Sequence, residues 1–241
     1  MNLGGGHHPN DPMSRLVVHV EGPTEETFVR EILQPHLRAF GYEAVWSRIV
    51  GNARLDRRSG GIKGWPGVRK DVIEHLQGNP GCRATTMVDY YALPQSGSKA
   101  WPGRANAATF PLANRADHVE QAVLNDFTAQ AGFHLARLFR PFVTMHEFEG
   151  LLFSDCAAFS NGIGMPKLEG HFQNIRDQFS TPEEINDSPM TAPSKRVELL
   201  VPGYSKPFLG NLAILAVGLD KIRAECPHFG KWLKDLETWI P

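Results

Sequence analysis

Residues 15–31 read RLVVHVEGPTEETFVRE, from Arg15 to Glu31, and this stretch decides the fold. Leu16 to Val20 is a short run rich in β-branched residues, the composition of a buried strand. It halts at Glu21-Gly22-Pro23, where the chain must turn. A helix is predicted from about Thr24 to Phe40. Pro23 suits the first helical position, Glu25 and Glu26 suit the positive end of the helix dipole, and Phe28, Val29, Ile32 and Leu33 recur with helical spacing. Glu21 therefore stands where a central strand feeds a helix, which is where open α/β sheets bind their ligands.

Outward from this unit, strand and helix keep alternating. Glu43 to Val50 (EAVWSRIV) reads as a second strand, and Gly51 to Gly67 as a loop rich in Gly and Arg. In that loop Arg54, Arg57, Arg58 and Lys63 supply positive charge beside Gly60-Gly61, whose missing side chains let backbone approach a phosphate; the alternative is a solvated surface loop. Val68 to Gln77 has helical spacing, and Gly78 to Gly81 (GNPG) ends it. Arg83 to Val88 then runs as a third strand into Asp89. Two parallel strands ending in acids can bring Glu21 and Asp89 to one rim of the sheet, within reach of one divalent cation. Taken singly, an aspartate after a strand reads as an Asx-turn or a helix cap.

Tyr90 to Arg115 is a long connection punctuated by Pro94, Gly97, Pro102, Gly103 and Pro111, and it begins at the proposed rim. It reads as a substrate-facing lid whose Tyr90, Tyr91 and Trp101 either stack on bases or pin the loop to its own domain. An amphipathic helix follows over Asp117 to Ala131. Leu138 to Met145 (LFRPFVTM) is a further strand, with Pro141 marking it as an edge or irregular. It leads to a third acidic corner, His146-Glu147-Phe148-Glu149-Gly150. As a strand, this corner puts Glu147 and Glu149 on one face; as a helix it splays them, and only one points at the site. It is not a zincin motif, because position 150 holds Gly and not a second histidine.

Beyond Ser154 the pattern turns helical, over Pro166 to Phe179, Ser194 to Leu200, Gly210 to Arg223 and Phe229 to Ile240. Lys195 and Arg196 stand near a helix start, where they oppose the dipole; the readings are a phosphate contact or an exposed pair. The organisation is thus a flexible leader over 1–12, an α/β core over 13–153 with a mostly parallel sheet flanked by helices, and a helical C-terminal part over 154–241 packed on that core. His7 and His8 in the leader read as tag-like sequence rather than as metal ligands.

At 241 residues, 41% hydrophobic and 21% charged, the chain is long enough for one large core, and its formal net charge of −1 excludes a broad cationic nucleic-acid-coating surface. Cys82, Cys156 and Cys226 lie far apart, which fits neither a disulfide framework nor a CxxC zinc site and points to a reducing cytoplasm. No stretch approaches the roughly 18 to 20 apolar residues of a membrane span.

The acidic corners together resemble the Toprim catalytic domain of topoisomerases, primases and overcoming-lysogenization-defect nucleases, and Glu21-Gly22-Pro23-Thr24-Glu25 is similar to the EGxxE form of those nucleases. More closely, the chain resembles an uncharacterised bacterial family of small stand-alone Toprim-like proteins. That likeness is carried by VEGPTEETFV, GGIK, TTMVDYYALP, HEFEGLLFSD, APSKR, VPGYSK and GLDKIRAECPHFGKWL, from near Met13 to the C-terminus.

The resemblance implies a Toprim-like, Rossmann-like fold and a Mg²⁺- or Mn²⁺-dependent nuclease. Glu21 is then a metal ligand or general acid/base, Glu25 the second EGxxE acid, and Asp89 the first acid of a DxD pair. Tyr91 stands where the second aspartate belongs, so Glu147 or Glu149 would have to supply that oxygen. Lys63, Lys195 or Arg196 would offset phosphate charge, with Arg57 and Arg58 further contacts to DNA or RNA. An AAA-type ATPase partner and a role as toxic effector in antiphage defence are also implied. The rival is a non-catalytic module that docks an ATPase or nucleic acid; a third reading is a nucleotide phosphohydrolase.

Overall fold

The computed structural model describes residues 14–50, 62, 64–186 and 188–239. The leader over 1–12 with His7 and His8, and Arg54, Arg57, Arg58, Gly60, Gly61 and Lys63, lie outside the described residues. The core of the fold is a parallel sheet of five strands: β1 (Arg15–Val20), β2 (Ala44–Ile49), β3 (Cys82–Asp89), β4 (Phe139–Arg140) and β5 (Val143–Thr144). The strand order is β2-β1-β3-β4, with β5 also pairing with β3, so β1 lies inside the sheet and is buried on both faces. This explains its unbroken apolar run, since parallel sheets covered by helices need no polar face.

Alternate residues of β1 divide between two cores. Leu16, Val18 and Val20 pack with Phe28, Leu33, Phe148, Phe153, Phe229 and Leu233, while Val17 packs on the opposite side with Trp65, Val72, Trp101, Phe127 and Phe139. The first side is covered by the helix that follows β1 and by the C-terminal helices, so the helical part shares the core of the sheet. The second is covered by helices Trp65–Gly78 and Arg115–Ala131.

The helix after β1 runs as Pro23–Phe28, a wide π turn Val29–Leu33, and Gln34–Ala39. Pro35 has no N–H to offer the carbonyl four residues back, and the wide turn, in which Gln34 N–H reaches Val29 O, lies directly before it. Helix Trp65–Gly78 begins inside the stretch read as a loop, because Pro66 occupies its first turn. The predicted helix over Gly210 to Arg223 is two, Asn211–Val217 and Leu219–Glu225. Gly218 between them has φ 75°, a left-handed conformation that ends the first helix.

The strand read over Leu138 to Met145 is interrupted. Ala84 faces Phe139 and Val88 faces Val143, the same offset on both sides of a gap at Pro141-Phe142. Pro141 cannot donate to the ladder, and the Thr86 side chain bridges the break: its hydroxyl donates to Phe142 O at 2.8 Å and accepts from Phe142 N–H at 2.9 Å. The long connection after Asp89 is pinned to its own domain. Trp101 is buried against Trp65 with ring centroids 5.1 Å apart, and the Arg104 guanidinium lies 3.8 Å from the ring centroid of the buried Tyr90, so these two aromatics are not free to stack on bases. Tyr91 stays exposed. No described helix is long and apolar enough to cross a membrane, and all three cysteines are free and buried.

Thr86→Val strands one buried donor and one buried acceptor at the strand break. It should cost about 2 to 4 kcal/mol in urea unfolding. A change below about 0.5 kcal/mol, within the range of ordinary surface substitutions, would remove the bridging role.

Candidate functional site

Parallel pairing decides the geometry of the site. Val20, the last residue of β1, faces Met87 of β3, so Glu21 comes level with the end of β3 where Asp89 stands. Asp89 in turn faces Thr144 of β5, whose continuation delivers Glu147 and Glu149 to the same rim. Three corners separated by more than fifty residues each in sequence thus meet at the carboxyl ends of adjacent strands.

Lys206 lies among these acids. Its ammonium is 3.0 Å from Asp89 Oδ2, 3.2 Å from Glu149 Oε2 and 3.3 Å from Glu25 Oε1. Asp89 and Glu149 are buried, while the Lys206 side chain keeps 32% of its exposure, so the cluster opens to solvent at its lysine end. Each acid is also locally tied. Asp89 Oδ1 accepts the Phe148 N–H at 2.8 Å, which fixes the start of the 3-10 helix Phe148–Ser154, and Glu25 Oε2 accepts the Gly22 N–H at 3.0 Å. Glu21 accepts from the Asp89 backbone.

The third corner takes neither regular form. Glu147 is extended and Phe148 begins the 3-10 helix, so the two glutamates diverge. Glu149 turns to Lys206. Glu147 Oε2 instead accepts the Ser194 N–H at 2.9 Å, at the start of helix Pro193–Leu200.

Lys195 and Arg196 sit on that helix. Lys195 pairs with Glu198 at 2.6 Å on the surface, and Arg196 donates to Thr191 O at 2.9 Å and Asn186 Oδ1 at 3.3 Å. Arg196 thereby holds the turn before its own helix.

Around Lys206, four carboxylates (Glu21, Glu25, Asp89 and Glu149) oppose one ammonium. Burial, only partly offset by Lys206, raises the Asp89 carboxyl well above the usual carboxylate range, and Glu149 is raised for the same reason. Glu21 is pushed up to about 7, first by burial and then by Glu25 and Glu149, against the opposing pull of Lys206. Its residue surface is partly exposed, but its Oε2 atom is buried. For Lys206 burial favours the neutral amine, and the charges of Asp89, Glu149, Glu25 and Glu21 override it and hold the ammonium protonated.

Lys206 carried no role in the sequence reading. The available signal was its place in Ser205-Lys206-Pro207, at the start of a helical turn (Lys206–Gly210) where a cation opposes the dipole. Tyr204 was missed too. Its buried hydroxyl lies where a Cβ on Gly210 would come within 2.8 Å, so glycine at 210 leaves room for it beside the cluster.

Among the described residues, the trio whose ligand atoms all fall within 4.8 Å of one another is elsewhere: Asp117, Glu120 and His228. The rim acids are held farther apart around the ammonium. A divalent ion would draw oxygens to about 2.1 Å and needs Lys206 to swing aside.

The fold and this rim define a parallel α/β protein with a buried carboxylate cluster at the carboxyl ends of its inner strands. A family-level match covers residues 20–237, and the chain belongs to that family, described as Domain of unknown function (DUF4276). Neither the curated proteins nor the solved structures compared with the chain include a match.

The raised Glu21 carboxyl predicts a pH-dependent stability difference. Below pH 4.5 folded and unfolded chains both hold the proton, so there is no penalty; between 4.5 and about 7 only the unfolded chain ionises, and folding stability falls as pH rises. Glu21→Gln lacks this loss and also relieves repulsion on Asp89. In chelator-containing buffer its melting temperature relative to the native chain should climb from pH 4.5 to 7 and then level off. A difference that stays flat with pH would contradict the assignment.

Proposed function

We propose that the protein is a divalent-metal-dependent phosphodiesterase acting on nucleic acid. The observation that carries this reading is the excess of carboxylate over cation at the rim: among the described residues, four acids face the Lys206 ammonium. The Toprim-like resemblance of Glu21-Gly22-Pro23-Thr24-Glu25 and Asp89 supports it independently.

The donor set fits Mg²⁺ or Mn²⁺. Glu21 Oε2 is buried without a hydrogen bond among the described residues, Glu25 Oε1 and Glu149 Oε2 meet the Lys206 ammonium, and hard divalent ions favour such oxygens. Glu21, Glu25, Asp89 and Glu149 would hold the ion, with Glu149 replacing the oxygen that Tyr91 does not offer. When bound, such an ion supplies positive charge to the oxygens of a phosphodiester undergoing displacement.

The chain's own residues do the remaining work. Lys206, displaced from the acids yet still reaching solvent, turns its ammonium to the substrate phosphate and offsets the charge that develops there. Glu21 has one of two roles at this rim, an oxygen ligand to the ion or the base that takes a proton from an attacking water. Lys195, near Glu147 and the exposed Tyr91, would be a contact to a polynucleotide in this reading. The AAA-type ATPase partner and the role in antiphage defence rest on the resemblance alone.

A second reading, a non-catalytic docking module, is favoured by Tyr91 and by Phe208, Leu212 and Leu215. These are exposed at helical spacing on the segment that carries Lys206.

With Mg²⁺ or Mn²⁺ the purified chain should nick DNA or cut RNA. Glu21→Ala should abolish cleavage, and Lys206→Met should lower kcat by about 10²- to 10³-fold, the usual cost of removing one charge-stabilising donor. Equal cleavage by Glu21→Ala would sink the nuclease assignment. Cation-independent binding without cleavage would favour the docking module.

A further inference from the structure

Away from the acidic rim, helix Arg115–Ala131 and the start of helix Pro227–Glu237 face each other across a cavity of about 730 Å³. Asp117 and Glu120, three residues apart, lie on one face of the first helix, and His228 is the second residue of the other. One ligand atom from each of the three falls within 4.8 Å of the others. We propose that Asp117, Glu120 and His228 form a second cation site, for a borderline divalent ion of the zinc class, in the wall of this cavity.

His228 and Glu120 are oriented by groups outside the trio. The His228 imidazole stacks on Phe142 with ring centroids 5.2 Å apart and planes 18° from parallel, which sets its orientation. Its backbone is fixed as well: the N–H groups of His228 and Phe229 both donate to Glu183, each at 2.9 Å. Glu120 Oε1 accepts the Val143 N–H at 2.8 Å and lies 2.8 Å from His228 Nε2. Such outer partners, fixing ring and carboxylate before any ion arrives, are what ordered metal sites use.

The donor chemistry separates this site from the rim. One imidazole and two carboxylates suit zinc, cobalt or manganese, whereas the rim offers oxygen alone and suits magnesium. Three protein ligands on the wall of a cavity also leave coordination positions open, the pattern of a site that exchanges its remaining ligands. Two groups compete with an ion: Lys231, 2.8 Å from Asp117 Oδ1 with its side chain 61% exposed, and the proton of His228, whose Nε2 lies 2.8 Å from Glu120 Oε1 and whose Nδ1 lies 3.9 Å from Asp117 Oδ1. Elsewhere the cavity is lined by Arg140, Phe110 and Trp232, with Asp235 as a further carboxylate.

The test uses the full chain carrying His7→Ala and His8→Ala, so that leader imidazoles do not contribute, stripped with chelator and titrated with Co²⁺. One equivalent should bind with visible ligand-field absorption, and one equivalent of Zn²⁺ should displace it. The signal should persist in Glu25→Gln, which alters only the rim, so failure of the nuclease reading leaves this result untouched. It should vanish in His228→Gln. Asp117→Asn, a change at an exposed position that leaves the fold intact, should weaken Co²⁺ binding by more than about tenfold, since even outer-shell partners are worth that much. Absence of the absorption in the parent chain, or its survival at full strength in both His228→Gln and Asp117→Asn, would show that the trio is a hydrogen-bonded network and overturn the proposal.

Discussion

Four buried or half-buried carboxylates around one ammonium are the constraint on which this structure turns. Charges taken out of water are costly unless paired, and here the pairing is incomplete: Lys206 satisfies one oxygen each of Asp89, Glu149 and Glu25, and the surplus charge raises the proton affinity of the acids. Groups with displaced proton affinity cluster at functional sites and also occur in structural ion-pair networks.

The surrounding architecture brings that charge together. β1 and β3 run side by side in parallel through an apolar interior, with a core on each face of the sheet. Asp89 links two tasks. One of its oxygens anchors the 3-10 turn that carries Glu149, and the other meets Lys206, so packing of the third corner and electrostatics of the cluster depend on the same side chain. The C-terminal helices share the core with β1 and deliver Lys206 to the rim from more than a hundred residues away. The helical part is therefore a contributor to the site as well as a cover for the sheet.

The second grouping, Asp117, Glu120 and His228, lies between helix Arg115–Ala131 and the start of helix Pro227–Glu237. Its chemistry is mixed nitrogen and oxygen, and its open side is a cavity, not a strand edge. The two clusters divide hard and borderline donors between separate places, and each has a carboxylate that accepts a backbone N–H from another segment, Asp89 from Phe148 and Glu120 from Val143.

The strand-turn-helix at Arg15 to Ala39 and the acids at Glu21 and Asp89 were legible in the sequence, because each follows from local rules of period and turn chemistry; Pro141 marked its strand as irregular, but the split into Phe139–Arg140 and Val143–Thr144 was not foreseen. The same rules left the Glu147/Glu149 corner open between strand and helix; Asp89, distant in sequence, fixed a 3-10 turn there and divided the two glutamates between different partners. Lys206 and the His228 trio were beyond local reading, since a lone lysine before proline or a histidine near a helix start carries no period. Only tertiary packing decided that this lysine would neutralise those acids, because what binds them is proximity in space and the weak screening of a buried setting, neither of which is written in the order of residues along the chain.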